Sequence, residues 1–222
     1  MRNWQLSYAR RMALLVAAIA TAAACQKNWQ GNQPPARDPP EAPRSDYAPL
    51  SNKSRWTYSV EYRGPFGGVQ TGKMVRRVDG KETIQGKTYY KIVTVFSGIP
   101  GIEPDVSYLR LSKDGTWKIM GKHKDKPECL VSAPSLDVGT TWTVTDPEGK
   151  RKEYRVVGKE TAELFDRKYE NCLKISFQGT TREIFASKME GYEYLAPGIG
   201  CVKEVWSNGL VTIELTLDTY EP

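Results

Sequence analysis

One histidine, four cysteines and 26 acidic residues carry whatever acid–base, nucleophilic or metal chemistry this 222-residue sequence can support. His123 lies in Gly121-Lys122-His123-Lys124-Asp125-Lys126, a charged and turn-like stretch. A single imidazole excludes a histidine-rich metal centre and leaves little for a zinc hydrolase. A Ser-His-Asp triad would have to use His123, and no Gly-x-Ser-x-Gly elbow accompanies it. No Cys-x-x-Cys spacing is present, which argues against dithiol redox catalysis. Gly64-Pro65-Phe66-Gly67-Gly68 lacks the Lys-Ser/Thr and following helix of a phosphate loop, and reads as a hairpin tip. The acids are scattered, with no spacing that points to a glycosidase pair. The sequence therefore predicts no catalytic residues, no metal, no cofactor and a non-enzymatic role. A carboxylate hydrolase would need two acids converging in one pocket with separated pKa values.

Cys25 stands apart because of what precedes it. Met1 to Arg11 is polar and basic, and Met12 to Ala24 is an apolar run of thirteen residues. A helix of that length spans only about 20 Å, against a hydrocarbon core of about 30 Å. The run suits the apolar segment of a signal peptide over residues 1–24 better than a membrane span. Ala22-Ala23-Ala24 followed by Cys25 resembles the bacterial lipobox, in which small residues precede a cysteine that is acylated and becomes the new N-terminus. The resemblance implies lipidation of Cys25 and a membrane as partner through that lipid. Ala22 stands where the lipobox prefers Leu, and Gln26 stands where inner-membrane retention would need Asp. The second departure implies a cell-envelope location on the outer membrane. Each buried CH₂ contributes about 0.8 kcal/mol, so two or three acyl chains make a stable anchor where one does not. Arg10-Arg11 reads as part of the basic n-region.

The segments that follow divide cleanly. Residues 25–46 form a lipid-anchored, proline-rich linker with Pro34, Pro35, Pro39, Pro40 and Pro43 and almost no aliphatic residues. Such a stretch cannot bury enough surface to offset its ordering entropy, and it could reach up to ~70 Å. Trp29 is its exception and could lie at headgroup level beside the lipid. Residues 47–222 form one antiparallel β domain. β-branched and aromatic residues recur there with turn signals such as Asp79-Gly80, Asp114-Gly115 and Asn208-Gly209 between them. Val211, Ile213, Leu215 and Leu217 alternate with polar neighbours, as a one-sided strand requires. Candidate strands cover 55–62, 69–78, 89–96, 106–111, 117–120, 141–144, 154–160, 171–177, 182–186, 192–195, 202–206 and 210–217. The formal charge of +6 includes Arg2, Arg10 and Arg11 of the signal segment, which holds no acid. The rest is nearly balanced, which excludes nucleic acid as a partner.

A weak internal repeat adds detail. Leu50…Trp56-Thr57 recurs as Leu136…Trp142-Thr143, 86 residues later. Lys87-Thr88-Tyr89 and Arg167-Lys168-Tyr169 each open an apolar strand. Two tandem β-meanders would join into one curved antiparallel sheet, an open half-barrel. The order Pro49-Leu50…Trp56-Thr57-Tyr58, Leu136-x-Val138-Gly139-x-x-Trp142, Tyr169-Glu170-Asn171-Cys172-Leu173-Lys174-Ile175 and Tyr194-Leu195-Ala196-Pro197-Gly198-Ile199-Gly200-x-Val202-Lys203 resembles a loosely characterised, TapB-like group of bacterial envelope lipoproteins. That resemblance implies the half-barrel of lipoprotein carriers and carries no activity with it. Cys201 stands where the pattern has an aliphatic residue. Export permits disulfides, and this departure, with both residues on expected strands, favours Cys172–Cys201 among the three pairings of Cys129, Cys172 and Cys201. Phe66, Ile99 and Ile102 lie in Gly/Pro-rich loops and could rim the mouth of the half-barrel for an apolar ligand. Two expectations follow: a β domain that binds an apolar ligand or an envelope protein, or a structural accessory of an envelope assembly such as pili.

Overall fold

The computed structural model describes residues 47–99, 103–121, 124–147, 149–181 and 187–222. Residues 1–46, with Cys25 and Trp29, lie outside these, as do Ile102, His123 and the expected strand 182–186. The described strands are β1 (Arg55–Arg63), β2 (Val69–Ile84), β3 (Lys87–Ser97), β4 (Asp105–Ser112), β5 (Gly115–Met120), β6 (Cys129–Ser132), β7 (Thr141–Thr145), β8 (Arg151–Leu164), β9 (Arg167–Thr181), β10 (Ser187–Ala196), β11 (Gly200–Ser207) and β12 (Thr212–Glu221). All twelve join one antiparallel sheet in the order β6-β5-β4-β3-β2-β1-β12-β11-β10-β9-β8-β7.

Every strand pairs with its neighbours in sequence except at one place. The first and last strands pair with each other, and the break falls between β6 and β7, the two shortest strands. Trp142 closes that seam by donating its Nε1–H to Val131 O at 3.2 Å. The sheet is thus the curved antiparallel barrel expected from the sequence, curled until it is nearly closed, and β1–β6 and β7–β12 are its two meanders. β6 escapes sequence reading because its four residues, between Pro127 and Pro134, are too few to alternate.

Alternation sets the inner face. Trp56, Tyr58, Val60 and Tyr62 of β1 point inward, as do Ile213, Leu215 and Leu217 opposite them. Gly72 and Ile99 meet on that face, where a Cβ on the glycine would lie 2.7 Å from Ile99 Cγ1. β2–β3 turns through Gln85-Gly86, both left-handed at φ 51° and 75°, as a two-residue hairpin demands. A smaller cluster of Ile84, Tyr89, Tyr108 and Ile119 packs on the outer face. Beside it Glu128 receives the Tyr89 hydroxyl at 2.6 Å and two Arg110 nitrogens at 2.7 and 3.1 Å, stapling the chain before β6 to the outside of the barrel.

The register makes the duplication explicit. In the first meander Val78, Ile92, Ser107 and Met120 form one row across β2–β5. In the second, Val156, Ile175, Glu193 and Glu204 form the matching row across β8–β11. Trp56 beside Arg76 corresponds to Trp142 beside Tyr154. Each Val opens the same motif, Val78-Asp79-Gly80-Lys81-Glu82-Thr83 and Val156-Val157-Gly158-Lys159-Glu160-Thr161, and the register shifts in both, after Val78 and after Val156. A β-bulge at the same place in both copies bends the two long hairpins alike.

Candidate functional site: a charged cluster inside the barrel

Six strands place charged residues on the inner face. Arg76 comes from β2, Lys118 from β5, Lys152 from β8, Glu193 from β10 and Glu204 from β11, and Asp105 of β4 shares their face. Three basic and three acidic residues meet there. Arg76, Lys152, Glu193 and Glu204 lie deep in the barrel yet keep a little accessible surface, as groups around a cavity do. That cavity has a volume of about 200 Å³. Trp56, Ile92, Leu109, Trp142, Ile175 and Leu195 wall it, Arg76, Tyr58, Glu193 and Cys201 supply its polar atoms, and Tyr47–Leu50 and Leu136 cover it.

Local bonds fix this geometry. Tyr58 donates its hydroxyl to Cys201 O at 2.9 Å, and Trp56 donates Nε1–H to Ile199 O at 2.6 Å, which ties the β10–β11 turn to β1. Glu193 and Glu204 are direct cross-strand partners. One oxygen of each and the Cys201 sulfur all lie within 4.8 Å of one another. Burial pushes the Glu193 carboxyl up to about 8; Glu204 adds to the rise while Arg76 and Lys152 oppose it. Burial also drives the Cys201 thiol and the Tyr58 hydroxyl well above their ordinary ranges, and lowers the Lys152 ammonium, which sits 5.1 Å over the Phe177 ring. Lys118 falls to about 8 through burial, opposed by Asp105. Among the described residues, no ion pair or hydrogen bond links Arg76, Glu193 or Glu204 to another side chain. Two residues beyond Glu204 on the same face, Trp206 buries its Nε1 with no acceptor among the described residues.

Chemically, two carboxyls this close disfavour each other's ionisation, and burial adds to that for Glu193. The Cys201 thiol, held protonated by burial, is no nucleophile. The arrangement suits holding a small charged group more than breaking bonds.

The residues expected from sequence fare differently. Phe66 is 88% exposed at the β1–β2 tip, and Ile99 is buried in the main core. Both belong to the loops at the end of the barrel opposite the cavity, so they do not rim it. Cys129, Cys172 and Cys201 are free thiols. Cys172 lies on β9 and Cys201 on β11, with β10 between them. Two strand spacings are about 9.6 Å, beyond the ~6.8 Å Cα separation a disulfide tolerates. Cys172 instead points its thiol at Tyr169 O, 3.1 Å away, and Cys201 borders the cavity. The charged cluster itself goes unread in sequence, although part of its signal is present. Met74 and Val78 set the inner parity of β2 with Arg76 between them, and Trp206 sets that of β11 with Glu204 two residues before it.

No family model and no curated protein matches the chain. Among solved structures, one described as a putative exported protein with a YmcC-like fold, from Bacteroides fragilis, is 17% identical; the match covers 78% of this chain and 98% of that one at a TM-score of 0.50. A second, described as a putative lipoprotein from Parabacteroides distasonis, is 13% identical over 78% of this chain and 97% of that one at a TM-score of 0.44. The first likeness is one of fold: the barrel built by these two meanders is similar to a YmcC-like fold.

Proposed function

We propose that this chain is a bacterial envelope lipoprotein, anchored at the outer membrane through Cys25, whose barrel is a non-enzymatic binding module for one small amphipathic ligand. The observation that carries the reading is that Arg76 and Glu193 border an apolar-walled cavity, with Glu204 directly across from Glu193, and that none of the three makes an ion pair or side-chain hydrogen bond among the described residues. A barrel that only had to stand would fill this position with aliphatic side chains, as the Ile92 and Ile175 positions do; buried unpaired charge is costly and clusters at functional sites. The cavity lies at the end of the barrel where residue 47 leads in from the linker, so the tether and the covering segment Tyr47–Leu50 are continuous. The fold likeness to a protein described as exported supports the location, as does the lipobox resemblance of residues 22–25.

A second reading rests on a different end of the molecule. Phe66, Val69 and Leu210 are exposed at 88, 57 and 65%, on the adjoining β1–β2 and β11–β12 turns. Apolar tips there would suit an envelope protein partner in an assembly. Native mass spectrometry of the Cys25→Ser chain, followed by extraction, separates the two. A bound small molecule near one-to-one that is lost in Arg76→Gln supports the cavity. A clean apo mass, with no gain on incubation with an envelope extract, overturns it and leaves the partner reading.

A further inference from the structure

Groups of both signs meet at the cavity: the Arg76 guanidinium and the Glu193 carboxyl line it. Glu193 and Glu204 face each other across β10 and β11 with one oxygen of each within 4.8 Å of the other. Like charges directly opposed on a sheet destabilise it, so this pair needs a cation or a shared proton between its members. Arg76, flanked by Trp56 on β1, borders the cavity together with Glu193; its field reaches both glutamates, but it makes no ion pair with either. A guanidinium presents a planar fork suited to a carboxylate or phosphate. The volume of about 200 Å³ would hold roughly seven waters at about 30 Å³ each, and falls below the ~300 Å³ at which drug-sized pockets begin.

We infer that the cavity binds a small zwitterion the size of an amino acid, with its ammonium between Glu193 and Glu204 and its anionic group on Arg76. The inference rests on the binding reading above and adds the chemical class of the ligand. A divalent metal at the same acids fits less well. Arg76 and Lys152 both project their field onto Glu193, and the third donor, Cys201, would have to give up a proton that burial holds in place. An ammonium supplies one positive charge and three hydrogen-bond donors, and needs no thiolate.

The same geometry fixes a pH dependence. Glu193 faces Glu204 and Cys201 on β11, Arg76 on β2, Lys152 on β8 and Tyr58 on β1. In the free protein its carboxyl holds a proton up to about pH 8. An ammonium between the glutamates displaces that proton, so binding tightens as pH rises, by roughly tenfold per unit below pH 8.

The test is calorimetric titration of the purified full-length chain in detergent with glycine, β-alanine, 4-aminobutyrate and 5-aminopentanoate. Butylamine, butyrate, zinc chloride and an apolar fluorescent dye serve as comparators. The expected result is one-to-one binding of at least one zwitterion, at least tenfold tighter than butylamine or butyrate. That affinity should rise from pH 6 to 8 and fall at least tenfold in Glu193→Gln and in Arg76→Gln. Thermal melts establish that each variant folds, and Glu204→Gln replaces any that does not. If the dye binds but no zwitterion exceeds butylamine and butyrate, the zwitterion is overturned and the binding module stands. Zinc binding without zwitterion binding overturns it equally, in favour of a metal. If no probe binds, both fail.

Discussion

The two meanders of the barrel carry the same scaffold and different interiors. Val78, Ile92 and Leu109 of the first answer to Val156, Ile175 and Leu195 of the second, and Trp56 answers to Trp142. In the same rows Ser107 and Met120 answer to Glu193 and Glu204, and Arg76 answers to Tyr154. Aliphatic positions persist in both copies because each closes the same curved sheet, where volume and shape are what packing demands. Positions that change to charge gain nothing in packing and lose solvation. Replacement of packing residues by charged ones at those positions is what the binding reading proposed above accounts for.

The largest test of that contrast is the paired tryptophans. Trp56 is 5% exposed, stacks on Tyr220 with ring centres 5.4 Å apart and is hydrogen-bonded to Ile199. Trp142 stacks on Tyr154 at 5.2 Å but stands half-buried at the β6–β7 seam. Trp56→Ala is expected to cost about 3–5 kcal/mol, and Trp142→Ala about 1–3 kcal/mol, because the seam can relax where the paired strands cannot. Urea unfolding monitored by circular dichroism gives both values; equal losses would mean that the seam is as tightly closed as the β1–β12 junction.

Next comes Gly191, whose first-meander counterpart is Asp105. Phe177 and Trp206 close over it from both sides. A Cβ there would lie 2.6 Å from Phe177 Cζ and 2.7 Å from Trp206 Cβ, and would press into Val205 O. Gly191→Ala should therefore destabilise by about 1–3 kcal/mol through overpacking, read as a lowered denaturation midpoint with an unchanged slope. A neutral result would show that the Phe177 ring swings aside and the β11 backbone at Val205–Trp206 gives way, and that the second meander packs as loosely as the first at this row.

Glu193 tests the divergence itself. Its carboxyl has a folded pKa of about 8 against an ordinary 4.5, so the folded state binds more protons than the unfolded state between those values. Its contribution is therefore most favourable below about pH 4.5 and is lost as pH rises to 8. Glu193→Gln keeps the shape and removes the titration. It should stabilise the chain at pH 8 by on the order of 2 kcal/mol, allowing for partial access of water, with no gain at pH 4.5. Ser107→Ala, at the matching position, should show no such pH dependence. Stability gained where ligand affinity is lost would be the usual trade between fold and site. A flat pH difference would mean that Arg76 and Lys152 already neutralise the pair.

Much of the architecture was legible in the residues, because alternation over β1 and β12 is strong and the glycine turns are explicit. Closure was not. Whether twelve strands curl far enough to meet depends on bulges and on a tryptophan reaching Val131 across the seam, and neither follows from periodicity. The cluster was half-legible: Arg76 and Glu204 fall at inner parity, but Tyr192 and Tyr194 flank Glu193 and disguise its face. Apolar residues in loops drew attention to Phe66 and Ile99 instead. A loop hydrophobe can turn inward as a plug, as Ile99 does over Gly72, without bordering any cavity.

The smallest effect belongs to the hairpin tips, where the copies solve one turn with different residues. Gln85-Gly86 places glycine in one of its two left-handed positions. Its counterpart puts Phe165 at φ 52° with its ring 75% exposed. A bulky residue there strains its backbone and gains no burial in return. Asn tolerates the left-handed region without the entropic cost of glycine. Phe165→Asn should thus stabilise the chain by about 0.5 kcal/mol, while Gln85→Asn leaves it unchanged, both read from denaturant midpoints. A loss on replacing Phe165 would show that its ring makes stabilising contacts within the chain despite its exposure. That would set the second meander apart at its tip as well as in its interior.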